Sequence, residues 1–291
     1  KNLHLIHWIQ DVFPEVAMAA GFRAASLTRA WRDRAWRSAD MCVALGHDMA
    51  ALVAERGVPA DRIRVSPNWA PEGLSPASPT AAADLRARWG LTGKFVVLYS
   101  GNLGRVHDFS AIVPLANSLR DDPAFAFVFI GDGARRVPLE SEVRDRGLTN
   151  VHFHPAQPRT ALSATLALGD VHLVTLRDGC ERLVFPSKLY GIAAVGRPVV
   201  FHGPRDSEIA RLIETNGFGR AFAHGEVAEA ASYLRALAAD PSRREILSAA
   251  AVSFADREGR LRHAVARWHE WLAGKPLAGA SPETSARGRP S

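Results

Sequence analysis

Between residues 95 and 225 the sequence repeats one unit: a short β-branched or aromatic run, a glycine-bearing turn, and a stretch with helical spacing. The runs FVVLYS (95–100), AFVFIG (126–131), VHFHPA (151–156), VHLVTL (171–176), PVVFHG (198–203) and GRAFA (219–223) are mostly apolar at successive positions. A strand wetted on one face alternates apolar and polar residues, whereas a strand covered on both faces does not. These runs therefore predict a parallel sheet with helices on both sides. The intervening segments end at Gly or Asn-Gly, as in SEIARLIETNG (207–217). Strands and helices alternating at this length give βαβ units and a doubly wound α/β fold.

A shorter copy of the pattern occupies the front. LHLIHWI (3–9) reads as a strand, 16–38 as largely helix, MCVAL (41–45) as a strand, HDMAALVAERG (47–57) as a helix and RIRVSPN (62–68) as a strand. The composition then shifts to WAPEGLSPASPT (69–80), where Pro71, Pro76 and Pro79 resist both helix and ladder pairing. A linker there divides the chain into a partial first domain at 1–75 and a second domain at 76–268, with 269–291 holding the end of the last helix and a tail. After Gly225 only helical patterns follow, and the tail past Gly274 has almost no large apolar residues, the composition of a disordered segment. The chain starts without Met, directly in a strand-like run, which suggests that its natural beginning lies further upstream.

Composition removes several function classes. Lys plus Arg number 36 against 30 Asp plus Glu, a net charge of +6 spread along the chain, so a dedicated nucleic-acid stripe is not expected. Cys42 and Cys180 stand far apart, in no metal-binding spacing, and fit a reducing, cytoplasmic compartment. No apolar run is long enough to span a bilayer, and KNLHLIHWIQD lacks the layout of a secretion signal.

Three loops fall on the carboxyl edge of the predicted sheet, where open α/β sheets collect ligands. Gly101, Asn102, Leu103 and Gly104 follow the strand at 95–100, and Pro114 fits a helix starting near 109–111. That loop reads equally as a tight turn or as bare backbone amides offered to a phosphate. Gly131, Asp132 and Gly133 follow the next strand. In FPSKLYGIAAVGRPVV (185–200), Ser187 is a suitable N-cap and Lys188 begins a helix stopped by Gly196 and Pro198. Taken alone each loop is an ordinary turn or cap; together they point to a diphosphate ligand. Asp132, Asp178 and Glu181 are the nearby carboxylates, with Asp178 and Glu181 candidates for sugar hydroxyls. No HExxH, cysteine cluster, DxD or GxSxG is present, so neither a bound catalytic metal nor a nucleophile elbow is expected.

The segment at 21–40 mixes Arg23, Arg29, Arg32, Arg34 and Arg37 with Trp31 and Trp36, a composition suited to an anionic membrane surface. At roughly 100° per residue the two indoles lie about 140° apart, so one stripe cannot hold both. Two readings stay open: Trp31 facing the core among solvated arginines, or Trp31 docking at a lipid interface.

The ordered succession YSGNLGRVHDF, FIGDG, FPSKLYGIAAVGRPVVF and SEIARLIETNGFG resembles the donor-binding domain of retaining GT-B glycosyltransferases of glycosyltransferase family 4, in the branch that includes WbuB-like fucosamine transferases. IQDVFPE (9–15) and VSPNWAP (65–71) resemble that branch's first domain and hinge. The resemblance implies two facing Rossmann-like domains with parallel sheets, the first incomplete here. It implies transfer of a sugar with retention from a nucleotide diphosphate donor, a UDP-sugar ahead of a GDP-sugar, with no obligatory metal or other cofactor. The acceptor would be a glycan or a lipid-linked sugar in polysaccharide or glycolipid biosynthesis, at the inner face of a bacterial membrane. Carried across by position, the 101–104 loop and Lys188 would hold the diphosphate, the 131–133 loop would lie beside the nucleotide, and Ser187 would meet phosphates through its backbone. On the same resemblance Arg105 would be a second cation for the leaving group, and Asp11 would face the acceptor. The family often carries two glutamates eight positions apart; Leu183 and Gly191 occupy those positions here, with Glu181 a partial substitute. Alternatives are a non-catalytic nucleotide-sugar-binding subunit and an epimerase or hydrolase of the same shape.

Overall fold

The computed structural model describes residues 4–78 and 80–273; the tail expected past Gly274 lies outside the described residues. The front of the chain runs through β1 (Ile6–Trp8), α1 (Glu15–Ala19), α2 (Arg29–Ser38), β2 (Met41–Ala44), α3 (His47–Glu55) and β3 (Ile63–Val65). No helix or strand occupies the described residues between β3 and α4 (Ala83–Arg88). Then β4 (Phe95–Ser100), α5 (Ile112–Ser118), β5 (Phe125–Ile130), α6 (Arg136–Asp145), β6 (Val151–His154), α7 (Leu162–Ala167), β7 (Val171–Thr175), α8 (Lys188–Ala194), β8 (Val199–His202), α9 (Glu208–Thr215) and β9 (Gly219–Phe222) alternate. Three helices close the described chain: α10 (Val227–Ala239), α11 (Pro241–Arg257) and α12 (Leu261–Leu272).

The strands form two sheets, both wholly parallel: β1-β2-β3 and β6-β5-β4-β7-β8-β9. In the larger sheet the order reverses at β4, which has β5 on one side and β7 on the other. The loops after β4 and β7 therefore diverge and leave a crevice at the carboxyl edge.

Every residue of β5, β7 and β8 is buried, as expected of strands covered on both faces. Two local expectations change. The helix expected over 16–38 is broken, because Gly21 takes φ +102 and a 3-10 turn at Arg23–Thr28 precedes α2. The helix expected from 109–111 begins at Ile112, with Phe109 accepting a turn bond from the Ile112 amide at 2.9 Å. Of the two tryptophans within α2, Trp36 is buried, with the Arg32 guanidinium 4.0 Å from its ring centroid, and Trp31 points to solvent. The core-facing reading of Trp31 is thereby overturned: the 140° separation lets only one indole reach the core, and Trp36 takes that place.

The two sheets share a core. Val12, Met49 and Val53 from the front belong to one apolar cluster with Leu189, Ile209 and Phe218 from the larger sheet's helices and loops. Polar pins flank it. The Val12 amide donates to the Leu183 carbonyl at 2.8 Å, and the Ala70 amide to Gly259 at 2.8 Å. Asp48 and Glu208 cap each other's helices: the Asp48 amide donates to Glu208 Oε2 at 3.0 Å, and the Glu208 amide to Asp48 Oδ2 at 2.7 Å. Each carboxylate thus satisfies an amide that the first turn of the opposite helix leaves free. Helix α12 returns to the front sheet, where Trp268 meets Trp8 edge-on at 5.4 Å and Trp8 stacks on Trp69 at 5.9 Å.

Candidate active site in the cleft between the sheets

A cavity of about 890 Å³ lies between the sheets at the carboxyl edge of β4. Its floor is Ser100, Gly101, Asn102, Gly104, Arg105 and His107; one wall is Phe185, Pro186, Ser187, Lys188 and Gly191; the front contributes Asp11, Val16, Ala17, Ala20, Phe22 and Trp69. Of the residues singled out from the sequence, Asp11, Gly101, Asn102, Gly104, Arg105, Ser187 and Lys188 line it, and Leu103, Gly131, Asp132, Gly133 and Glu181 do not.

The two glycine loops interlock, which explains that division. Gly131 has φ +135, and a side chain there would run into the Gly101 carbonyl. A Cβ on Gly133 would come within 2.5 Å of Asn102 Oδ1 and the Leu103 carbonyl. Leu103 is fully buried, its amide donating to the Asp132 carbonyl at 2.8 Å and its carbonyl accepting from Arg135 at 2.9 Å. The second loop is glycine-rich so that the first can lie on it. Asp132 turns outward, its carboxylate accepting from the Gly133 amide at 2.7 Å.

Lys188 dominates the electrostatics. Its Nζ is buried, makes no hydrogen bond, and lies 3.6 Å from the Tyr99 ring centroid. A Cβ on Gly101 would sit 3.2 Å from that nitrogen, so only a glycine lets the ammonium reach the loop without displacement. Tyr99 is fixed in turn by donating to the Asn102 carbonyl at 2.7 Å. The quadrupole of the ring offsets part of the cost of burying the charge. Among the described residues no carboxylate completes the compensation, and burial pulls the lysine from 10.5 down to about 7.

His107 was not singled out from the sequence. It is buried against the cleft, and its Nδ1 donates to the Thr175 carbonyl at 2.7 Å. Burial, and then the nearby Lys188, push it down to about 4, so the ring is neutral at pH 7 with its lone pair on Nε2. Nothing local in the sequence distinguishes this histidine from a surface one; the contact is made with a strand far along the chain. Phe22, Trp69 and Phe185 were missed for the same reason.

The remaining acids differ in setting. Asp11 lies at the cleft's front wall, and loss of solvent raises its carboxyl above the usual range. Glu181 Oε2 is buried without a hydrogen-bond partner. Asp178 is exposed and lies 3.5 Å from His224 Nε2, away from the lining. Ser187 occupies the N-cap position of α8, but its backbone is αR and its side chain makes no capping bond, contrary to the cap expected from sequence. Gly191 lines the cleft with Leu166, Leu74 and Pro71 at ordinary contact distance from a notional Cβ, surroundings with no partner for a carboxylate. Among the described residues no three His, Cys, Asp or Glu side chains cluster to hold a metal, and no helix is long and apolar enough to cross a membrane.

Residues 82–253, which carry the larger sheet and this loop set, match the family model described as glycosyl transferases group 1. The chain belongs to that family. Curated proteins named as glycosyltransferases are similar to it. WcaI of Escherichia coli (strain K12), named for colanic acid biosynthesis, is 32% identical over 220 residues, 73% of this chain and 53% of its own length. The glycosyltransferase WbjE of Pseudomonas aeruginosa is 31% identical over 217 residues, 72% of this chain and 54% of its own. The chain thus spans about half the length of the curated relatives it matches. The crystal structure of Anabaena HepE in complex with UDP superposes with TM-score 0.75 at 18% identity, over 93% of this chain and 72% of HepE. The two parallel sheets match the GT-B architecture.

Proposed function

We propose that the chain forms the donor site of a retaining sugar transferase that takes a UDP-sugar, ahead of a GDP-sugar, and delivers the sugar to a glycan or lipid-linked acceptor in polysaccharide or glycolipid biosynthesis. Residues 76–268 hold the donor and 1–75 present the acceptor. The observation that carries this reading is the Lys188 ammonium, buried with no acid partner above the Gly101 loop. A diphosphate is the ligand that supplies the missing charge. The solved complexes of HepE with UDP and with UDP-glucose support the choice of nucleotide.

The chemistry follows from where charge develops. Cleavage of the bond between the anomeric carbon and the diphosphate oxygen leaves a full negative charge on the phosphate. Lys188 and Arg105 interact more strongly with that charge than with the intact donor, and only this difference accelerates the step. Fixed amides of the 101–104 loop do the same without reorganising. Asp11, raised by its surroundings, stands on the acceptor side and orients the incoming hydroxyl. No side chain is assigned a covalent role, and no metal is invoked.

Incubation with a panel of UDP- and GDP-sugars, followed by separation of released nucleotide and stereochemical assignment of the product, tests the reading. Nucleotide release with a retained product supports it. Tight UDP binding with no release from any donor would favour a non-catalytic binding subunit instead.

A further inference from the structure

The floor of the cleft holds one group that stabilisation of the leaving group does not use. His107 stands in the loop after β4, and its ring is tied to Thr175, the last residue of β7, by the 2.7 Å bond from Nδ1. Its backbone is fixed as well. The His107 amide donates to the Gly104 carbonyl at 3.2 Å, and the neighbouring Val106 carbonyl accepts from the Arg177 amide at 2.9 Å. The Tyr99 ring meets the imidazole edge-on at 6.0 Å, and the Lys188 ammonium lies 3.6 Å from the centroid of that same ring. The histidine is therefore anchored beside the cation, at the point where the strand order of the sheet reverses.

Hydrogen-bond direction decides what such a ring can read. The Thr175 carbonyl only accepts, so the proton sits on Nδ1 and Nε2 carries a lone pair. Among the described residues, the unpaired ring nitrogens of His172 and His202 are sealed inside the sheet, whereas His107 borders the cavity and its Nε2 is not sealed. The other groups on this side have the opposite polarity. Lys188 and Arg105 only donate, as do the amides of the 101–104 loop, and Asn102, Ser100 and Ser187 can turn either way. Across the cavity Leu166, Val184, Phe185 and Gly191 bring no side-chain acceptor. A diphosphate oxygen carries no proton for Nε2 to accept at neutral pH, so this nitrogen is made for a hydroxyl or an N–H.

We propose that His107 Nε2 accepts a hydrogen bond from a hydroxyl of the sugar that the donor carries, and so takes part in choosing that sugar. The sugar is joined to the diphosphate that Lys188 faces, so its hydroxyls come next to a group beside that cation, whereas the N–H of the base is set apart by the ribose. Neutrality suits the place. A carboxylate there would repel the charge that develops on the leaving diphosphate, and an uncharged imidazole reads the hydroxyl without that cost. This inference rests on the donor site proposed above, and it is measured by binding alone, with no acceptor or turnover.

Calorimetric titration of the unaltered chain, His107→Ala and His107→Gln tests it, with UDP, UDP-glucose, UDP-galactose, UDP-N-acetylglucosamine, GDP and GDP-mannose as ligands. For the sugar nucleotide that the unaltered chain binds most tightly, His107→Ala should lower affinity by about three- to tenfold, the loss of one uncharged hydrogen bond. The matching bare nucleotide should stay within about twofold, which also reports that the variant is folded and its cleft intact. His107→Gln, whose amide can donate to Thr175 and offer its oxygen to the hydroxyl, should regain much of the loss. One monodeoxy analogue of the preferred sugar should bind the unaltered chain and the alanine variant equally, because the partner is then missing from the ligand. Equal weakening of nucleotide and sugar nucleotide would assign the ring to the base, the phosphates or packing, and overturns the proposal. So does an alanine variant that binds every sugar nucleotide as the unaltered chain does, or an unaltered chain that binds bare nucleotide and no sugar nucleotide. Failure of the unaltered chain to bind any of the six ligands instead removes the donor site itself, and the inference falls with it.

Discussion

In the larger sheet, β4 and β5 contribute six residues each, and all but Ser100 are buried; in the smaller one, β1 and β3 contribute three each, and none is buried. The larger sheet has helices on both faces and a cluster of its own, built on Phe127, Phe129 and Leu115, that no front residue enters. The smaller sheet has no such private core. Cys42 and Ala44 of β2 are buried, but the apolar cluster they belong to runs on into residues of the larger sheet's helices. One half stands on its own packing; the other stands on the contact between them, and the cleft is the part of that contact left open.

The strongest way to break this asymmetry is Phe127→Ala. The ring is fully buried in the larger sheet's separate cluster, and its loss should cost about 3–5 kcal/mol, read as a lower urea midpoint. A loss below about 1 kcal/mol would mean that the larger sheet is not the stabilising half.

Next in size is Lys188→Met, which acts on the cleft rather than on either core. Loss of a charged contact to phosphate should weaken UDP binding by about 10- to 150-fold in calorimetric titration. The pH dependence sharpens it. Folding lowers this amine from 10.5 to about 7, so between those values the unfolded chain holds the extra proton and the lysine's contribution to stability rises with pH. The stability advantage of the methionine variant should therefore be largest near pH 7 and shrink toward pH 10. UDP affinity of the unaltered chain should fall as pH rises through about 7 and stay flat in the variant. A parallel decline in both would assign the titration to another group.

A smaller effect is expected where the halves are pinned. Asp48→Ala leaves the Glu208 amide uncapped and should cost about 1–2 kcal/mol. Glu208→Ala should cost a similar amount, and the two should couple by about 0.5 kcal/mol or more in a double-mutant cycle. Strict additivity would show that the caps act separately.

The smallest expected effect is no effect. Six of the seven tryptophans, at 8, 31, 36, 69, 268 and 271, sit in the front segment or on α12. Their fluorescence follows the smaller sheet, while far-ultraviolet circular dichroism follows both. If the shared core couples the halves, the two urea transitions coincide; a fluorescence change at lower urea would separate them.

Much of this was legible in the sequence, for reasons that differ by element. The inner strands β4, β5, β7 and β8 of the larger sheet announce themselves because covering both faces forces nearly unbroken apolar runs, while the edge strands β6 and β9 are only partly buried. The break at Gly21 was hidden, since the helical pattern continues on either side of it and only the backbone angle reveals the turn. The first glycine loop and Lys188 stand out in the sequence because they lie after strands on the carboxyl edge, whereas Arg105 and Asp11 enter only through the family resemblance; Gly101, Asn102, Gly104, Arg105, Lys188 and Asp11 all line the cleft. His107 and Trp69 could not be, as both depend on contacts between distant segments. The glycines of the second loop were noticed for a role at the ligand, whereas their backbone is shaped to receive a neighbouring loop.

The solitary ammonium above Gly101 has a practical consequence. The fold carries a charge that no neighbouring acid matches, and a ligand that supplies the counter-ion raises the melting temperature with the logarithm of its affinity. Thermal scans with a set of bare nucleotides can therefore rank uridine, guanosine and adenosine diphosphates before any acceptor is in hand, with the methionine substitution at 188 as the blank.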